Sequence, residues 1–163
     1  MLIAHYIGNH AADGLAARAG WAITRYTQAG PYGMVTHCEA IHEELDNGEV
    51  LIASASLRDD GVRAKRVRMN PAHWTIVDCP AWDVGKSVDL MLKTAGKGYD
   101  LRGALATRIP GRQDNARWFC NEWVGAPYLP ASHTFGPHQF CAVTLAVGTD
   151  VTEQFFKNRK AAK

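Results

Sequence analysis

Met34-Val35-Thr36-His37-Cys38-Glu39-Ala40-Ile41 is β-prone and lies between turn formers, with Ala29-Gly30-Pro31-Tyr32-Gly33 before it and the polar run Glu43 to Gly48 after it. It reads as a strand, and its neighbours read the same way. Leu2 to Ile7 predicts a first strand and Glu49 to Ala55 a third. Arg58-Asp59-Asp60-Gly61 is a turn signal that leads into Val62 to Met69, whose alternation suits a half-exposed strand. Trp74 to Cys79 is a short apolar fifth.

Outside these segments the period is helical. Asp13 can cap a helix over Gly14 to Gln28, and Asp83 one through Val84, Val88, Met91, Leu92 and Ala95, ending at Gly96 or Gly98. Leu101 to Ile109 predicts a short helix, Trp118 to Ala126 another, and Pro137 starts a last one through Leu145. Strands crowding the first half, with helices at both ends, predict an α+β domain around one mostly antiparallel sheet. Residues 1–152 form that single domain, and the basic stretch 153–163 is expected to be a loosely ordered tail.

The 163 residues can bury an ordinary core, and 47% hydrophobic with 21% charged residues is the balance of a globular chain. A net charge of +2 gives no argument for nucleic acid. Arg63, Lys65, Arg66 and Arg68 read as a solvated strand face, and Lys157, Arg159, Lys160 and Lys163 as a frayed terminus. The start Met-Leu-Ile-Ala-His lacks a signal-peptide pattern, and no apolar run reaches the roughly 18 residues of a membrane span. A cytoplasmic location is therefore expected.

Four cysteines, Cys38, Cys79, Cys120 and Cys141, contain no CxxC pair, and each taken alone reads as a small buried hydrophobe. Cys120 differs in context, because it sits at the head of a predicted helix in Trp118-Phe119-Cys120-Asn121-Glu122-Trp123-Val124. A thiol becomes a nucleophile as its thiolate, which a helix start and a nearby histidine both favour. His37 is the histidine whose context suits a base. Strand alternation puts it on one face with Glu39, a carboxylate able to orient its ring, and Cys38 on the other. The residues alone equally allow a buried cysteine in an aromatic core helix and a solvent-facing His-Glu pair. Zinc held by His37, Glu39, Cys120 and a further histidine is a weaker alternative, since no HxH, HExxH or CxxC unit seeds it. Phosphate-loop and Gly-x-Ser-x-Gly patterns are absent.

Taken in order, these segments resemble the circularly permuted branch of the NlpC-type papain-like cysteine hydrolases, in its phage or prophage members. Thr36-His37-Cys38-Glu39 resembles that family's histidine strand, and Ser54 to Arg63 the stretch after it. Tyr99-Asp100-Leu101-Arg102-Gly103 resembles its Tyr-Asp-x-x-Gly element, and Phe119-Cys120-Asn121-Glu122-Trp123-Val124 its Phe-Cys-Ser-Glu-(Leu/Trp)-Val motif. The resemblance implies acyl transfer by Cys120, His37 and Glu39, with no cofactor and no metal. Tyr6 or Tyr99 would help the Cys120 N–H hold the oxyanion. The implied substrate is a peptide, amide or small acyl compound, a peptidoglycan peptide if the source is a phage. Asn121 stands where serine is usual, and Leu51-Ile52-Ala53-Ser54 lacks the family's third polar residue. Glu39 is the best replacement, with Ser54, Glu122 or a backbone carbonyl as alternatives. The rival from another class is a non-catalytic phage structural or host-interaction module that keeps the fold.

Overall fold

The computed structural model describes residues 1–7, 35–105, 114 and 116–161. The helix predicted over Gly14 to Gln28 and the second half of the one predicted over Leu101 to Ile109 lie outside the described residues. Those described form an α+β fold, a six-stranded antiparallel sheet packed with five helices. The strands are β1 Leu2–Tyr6, β2 His37–Glu44, β3 Val50–Ser56, β4 Gly61–Val67, β5 Trp74–Asp78 and β6 Thr149–Asp150, in the order β4-β3-β2-β1-β5-β6. The helices are α1 Val84–Thr94, α2 Leu101–Leu105, α3 Cys120–Gly125, α4 Pro137–Val147 and α5 Thr152–Ala161.

Alternation along each strand sorts the side chains onto two faces. Ile3, Cys38, Ala40, Ala53, Ala55 and Val77 join Trp82, Cys120, Trp123, Val124 and Phe140 in one core. The alanines are small enough for α3 to lie close over β2 and β3. Ala4, Ile41, Val50, Ile52 and Ile76 face the other way, against Phe155 and Phe156. Those two phenylalanines overturn the expectation of a loose tail. They are buried on α5, where Arg159 lies 4.3 Å over the Phe155 ring and donates to the Glu49 carbonyl at 3.0 Å. A short apolar pair inside a basic run is easily read as solvated, yet it closes one face of the sheet.

Two other boundaries differ from the sequence reading. β2 continues past Ile41 to Glu44 through an irregularity between Ile41 and Glu43, so part of the predicted polar turn pairs with β3. The predicted helix from Trp118 starts only at Cys120, because Trp118 bridges Tyr99 and Phe119 has an extended backbone. Asp83 caps α1 as expected, accepting from the Gly85 N–H at 2.8 Å. The β3–β4 turn requires Gly61: its φ is +136°, and a Cβ there would stand 2.0 Å from the Lys97 carbonyl oxygen. That close approach lets Val62 N–H bond to Lys97 O at 2.8 Å and pins the hairpin to the end of α1.

Candidate active site

Cys120 is the first residue of α3, and the segments before it explain its placement. Trp118 N–H donates to Gly98 O at 3.1 Å and Asp100 N–H to Trp118 O at 2.9 Å, so the Tyr99-Asp100 segment lies alongside the approach to Cys120. Asp100 is buried and accepts from the Gly103 N–H at 2.8 Å, which shapes the first turn of α2. Trp123, fully buried, donates its indole N–H to Thr94 Oγ1 at 2.9 Å and ties α3 to α1. The turn of α3 thus has anchors on both sides.

His37 opens β2, and its ring reaches two partners. Nε2 lies 2.8 Å from Glu39 Oε1, and the ring is within hydrogen-bonding reach of the Cys120 thiol. Glu39 is 2% exposed. It could not remain a carboxylate there without compensation, and Arg63 supplies it: Nη1 donates to Oε2 at 2.7 Å and Nη2 to Oε1 at 2.6 Å. Arg63 in turn donates through Nε to Asp59 Oδ2 at 2.7 Å, and Lys65 grips the same oxygen at 2.6 Å. Five charged or polarised side chains therefore run from the thiol to the β3–β4 turn.

The shifts of these groups follow from the arrangement. Burial alone would push the His37 imidazolium down, but the Glu39 charge and hydrogen bonds to Cys120 and Glu39 outweigh it and raise its pKa to about 9. Burial would push Glu39 up, yet His37 and Arg63 bring it down to about 2. Cys120 is drawn well below an ordinary thiol by a hydrogen bond from Cys38, against the cost of burial, and then by His37. These directions agree on a thiolate beside an imidazolium. One contact opposes them. The Cys120 thiol donates to Asn121 Oδ1 at 3.4 Å, while the Asn121 amide N–H donates to the Phe135 carbonyl. That carbonyl fixes the amide with its oxygen toward the sulfur, an orientation that suits the neutral thiol. The directions of the His37 and Cys120 shifts favour the ion pair, because a charged partner outweighs one long neutral contact.

The other candidates fall out differently. Ser54 donates weakly to the Ala55 carbonyl at 3.4 Å, and its own carbonyl receives Arg63, so its hydroxyl does not orient His37. Glu122 Oε2 accepts from the Phe119 N–H at 3.3 Å, capping its own helix. His42 pairs with Ser87 Oγ at 2.8 Å on the α1 side. Tyr99 stands near both Cys120 and Cys38, and burial followed by their charges raises its phenol well above the ordinary value. Tyr6 stays within the sheet opposite His37, its ring against Trp74 and His73. Among the described residues, no three His, Cys, Asp or Glu side chains group as a metal site, and no helix is long and apolar enough to cross a membrane.

Arg63 is the residue that sequence reading missed, being taken for part of a solvated basic face. Its side chain is only 15% exposed. The available signal was register. A hairpin turning at Asp59-Asp60-Gly61 pairs Ser54 with Arg63, which puts Arg63 two strands over from Glu39 with β3 between them. A carboxylate on a central strand needs such a cation.

Comparison of the chain with family models, with curated proteins and with solved structures returns no match. The reading of the site therefore stands on its geometry and on the sequence pattern.

Proposed function

We propose that the protein is a cysteine hydrolase of the permuted papain-like kind, cleaving an amide or other acyl bond through Cys120, His37 and Glu39. The observation that carries this reading is the single ring of His37 held between a buried, ionised Glu39 and the Cys120 thiol. With Nε2 engaged by Glu39, Nδ1 is the nitrogen left to serve the sulfur. Cys120 attacks the substrate carbonyl carbon, and His37 passes its proton to the leaving group as the acyl-enzyme forms. His37 then takes a proton from water, the hydroxide attacks the thioester, and the acid leaves as Cys120 is restored. Glu39 holds the ring and stabilises its cationic form. Tyr99, kept protonated by its surroundings, is a suitable donor to the oxyanion together with the Cys120 N–H. The resemblance offers peptidoglycan stem peptides, other amides and thioesters as substrates.

Alkylation tests the reading against that of a non-catalytic module. Burial holds Cys79 and Cys141 up at about 11, and Cys38 is also raised, so at mildly acidic pH they contribute little thiolate. Iodoacetamide should then label Cys120 about a hundredfold faster than an ordinary thiol, and His37→Ala should abolish the preference. Uniform slow labelling of all four thiols would rule out the hydrolase.

A further inference from the structure

Cys38 is a fully buried thiol that makes and breaks no bond in hydrolysis, yet it lies beside the nucleophile and helps to lower its pKa. Alternation on β2 points it to the face that α3 covers, away from His37 and Glu39. Cys38 and Cys120 share one buried core cluster, and the Cys38 thiol and backbone lie close enough to the Cys120 sulfur to shift its ionisation. The remaining cysteines lack this relation to Cys120: Cys79 donates to the Thr144 carbonyl at 3.8 Å, and Cys141 lies on α4 near Asp150.

We propose that Cys38 and Cys120 form a hydroperoxide-responsive pair, in which Cys120 is oxidised first and Cys38 resolves it as a reversible disulfide. The Cys120 thiolate attacks one oxygen of the hydroperoxide. An S–O bond forms, the O–O bond breaks, and the departing oxygen leaves as alcohol or water with a proton from the His37 imidazolium. Cys38 then attacks the sulfenic sulfur, an S–S bond forms, and the hydroxyl leaves as water with the Cys38 proton. Two thiols lose two electrons in all, and one hydroperoxide gains them. The two thiols are neighbours in one core cluster, and a disulfide between them blocks the nucleophile while sparing it irreversible oxidation. The inference rests on the reactive-thiolate reading of Cys120, and the first step of the test separates the two.

The whole protein is first reduced and a sample labelled with iodoacetamide. The rest is treated with hydrogen peroxide and mapped by mass spectrometry without reduction. Expected is a Cys38–Cys120 cross-linked peptide two hydrogens lighter than its parts, with Cys120 labelling lost and then regained in dithiothreitol. Cys38→Ala should instead accumulate Cys120 sulfinic acid and regain nothing. Selective labelling followed by sulfinic acid in the unmutated protein, or a cross-link between other cysteines, overturns the pair and leaves the hydrolase standing. Absence of selective labelling at the first step sinks both. The unmutated cross-link map decides the matter even if Cys38→Ala folds poorly.

Discussion

The two faces of the sheet are built on different principles. Under α3 the strands present Cys38, Ala40, Ala53 and Ala55, and the small side chains bring a helix close enough for Cys120 to meet the sheet. On the opposite face Ile41, Val50, Ile52 and Ile76 fill a conventional core against Phe155 and Phe156, but one corner holds Glu39 and Arg63 instead. Packing positions the sulfur on the first face, while a buried ion pair positions the histidine from the second. The site is assembled where β2 begins, because His37 is its first residue and lies within reach of both.

The largest effect should come from breaking the polar corner. Arg63→Met leaves Glu39 buried with His37 as its main partner and should cost about 3–5 kcal/mol in urea unfolding. The same change in a Glu39→Gln background should cost far less, and strict additivity of the two changes would refute a coupled pair. Next, Phe155→Ala should cost about 3 kcal/mol by opening a cavity beneath α5. Cys120 labelling should survive it at temperatures where the variant is folded, and a lost preference would show that the faces are not separable. Smaller again is Ala53→Leu, which overpacks the seat of α3 and should cost about 1–3 kcal/mol while slowing Cys120 labelling. Ile52→Leu, a volume-conserving change on the other face, is the control and should leave labelling intact.

Much of this contrast was written in local sequence. β-prone runs bounded by turn signals gave five of the six strands within a few residues, β6 being the one not read, and strand alternation separated His37 and Glu39 from Cys38. What local pattern lacks is cross-strand register, and both missed features depend on it. Arg63 looks solvated until β3 places it in line with Glu39, and Phe155 and Phe156 look like part of a polar tail until the sheet offers them a bare apolar face. The helix start slipped to Cys120 for a similar reason, since Trp118 is claimed by its bridge to Tyr99. For the site itself the motif order named His37, Glu39 and Cys120, whereas the contact between Cys120 and Cys38 has no signature along the chain.

The smallest expected effect is a pH dependence of stability in which two terms oppose each other. His37 rises from 6.5 to about 9 on folding, so its contribution is complete below about pH 6.5 and is lost as pH climbs through about 9. Cys120 moves down from the ordinary thiol value, so its contribution is present above that value and is lost as pH falls through its lowered pKa. Above the lowered Cys120 pKa and below about pH 9 the folded pair is imidazolium with thiolate, and where the unfolded pair is imidazole with thiol both states bind the same number of protons. The pair therefore contributes a plateau over this interval and weakens only on the acid side. Cys120→Ala removes one term and leaves His37 raised by Glu39, so the variant's stability should decline as pH rises across the same interval. For a chain of this size each 1 kcal/mol of that decline lowers Tm by about 2–4 °C, a loss that the unmutated protein does not show. Equal slopes for the two proteins, measured by thermal melts at matched ionic strength, would mean that no thiolate–imidazolium pair links the two faces.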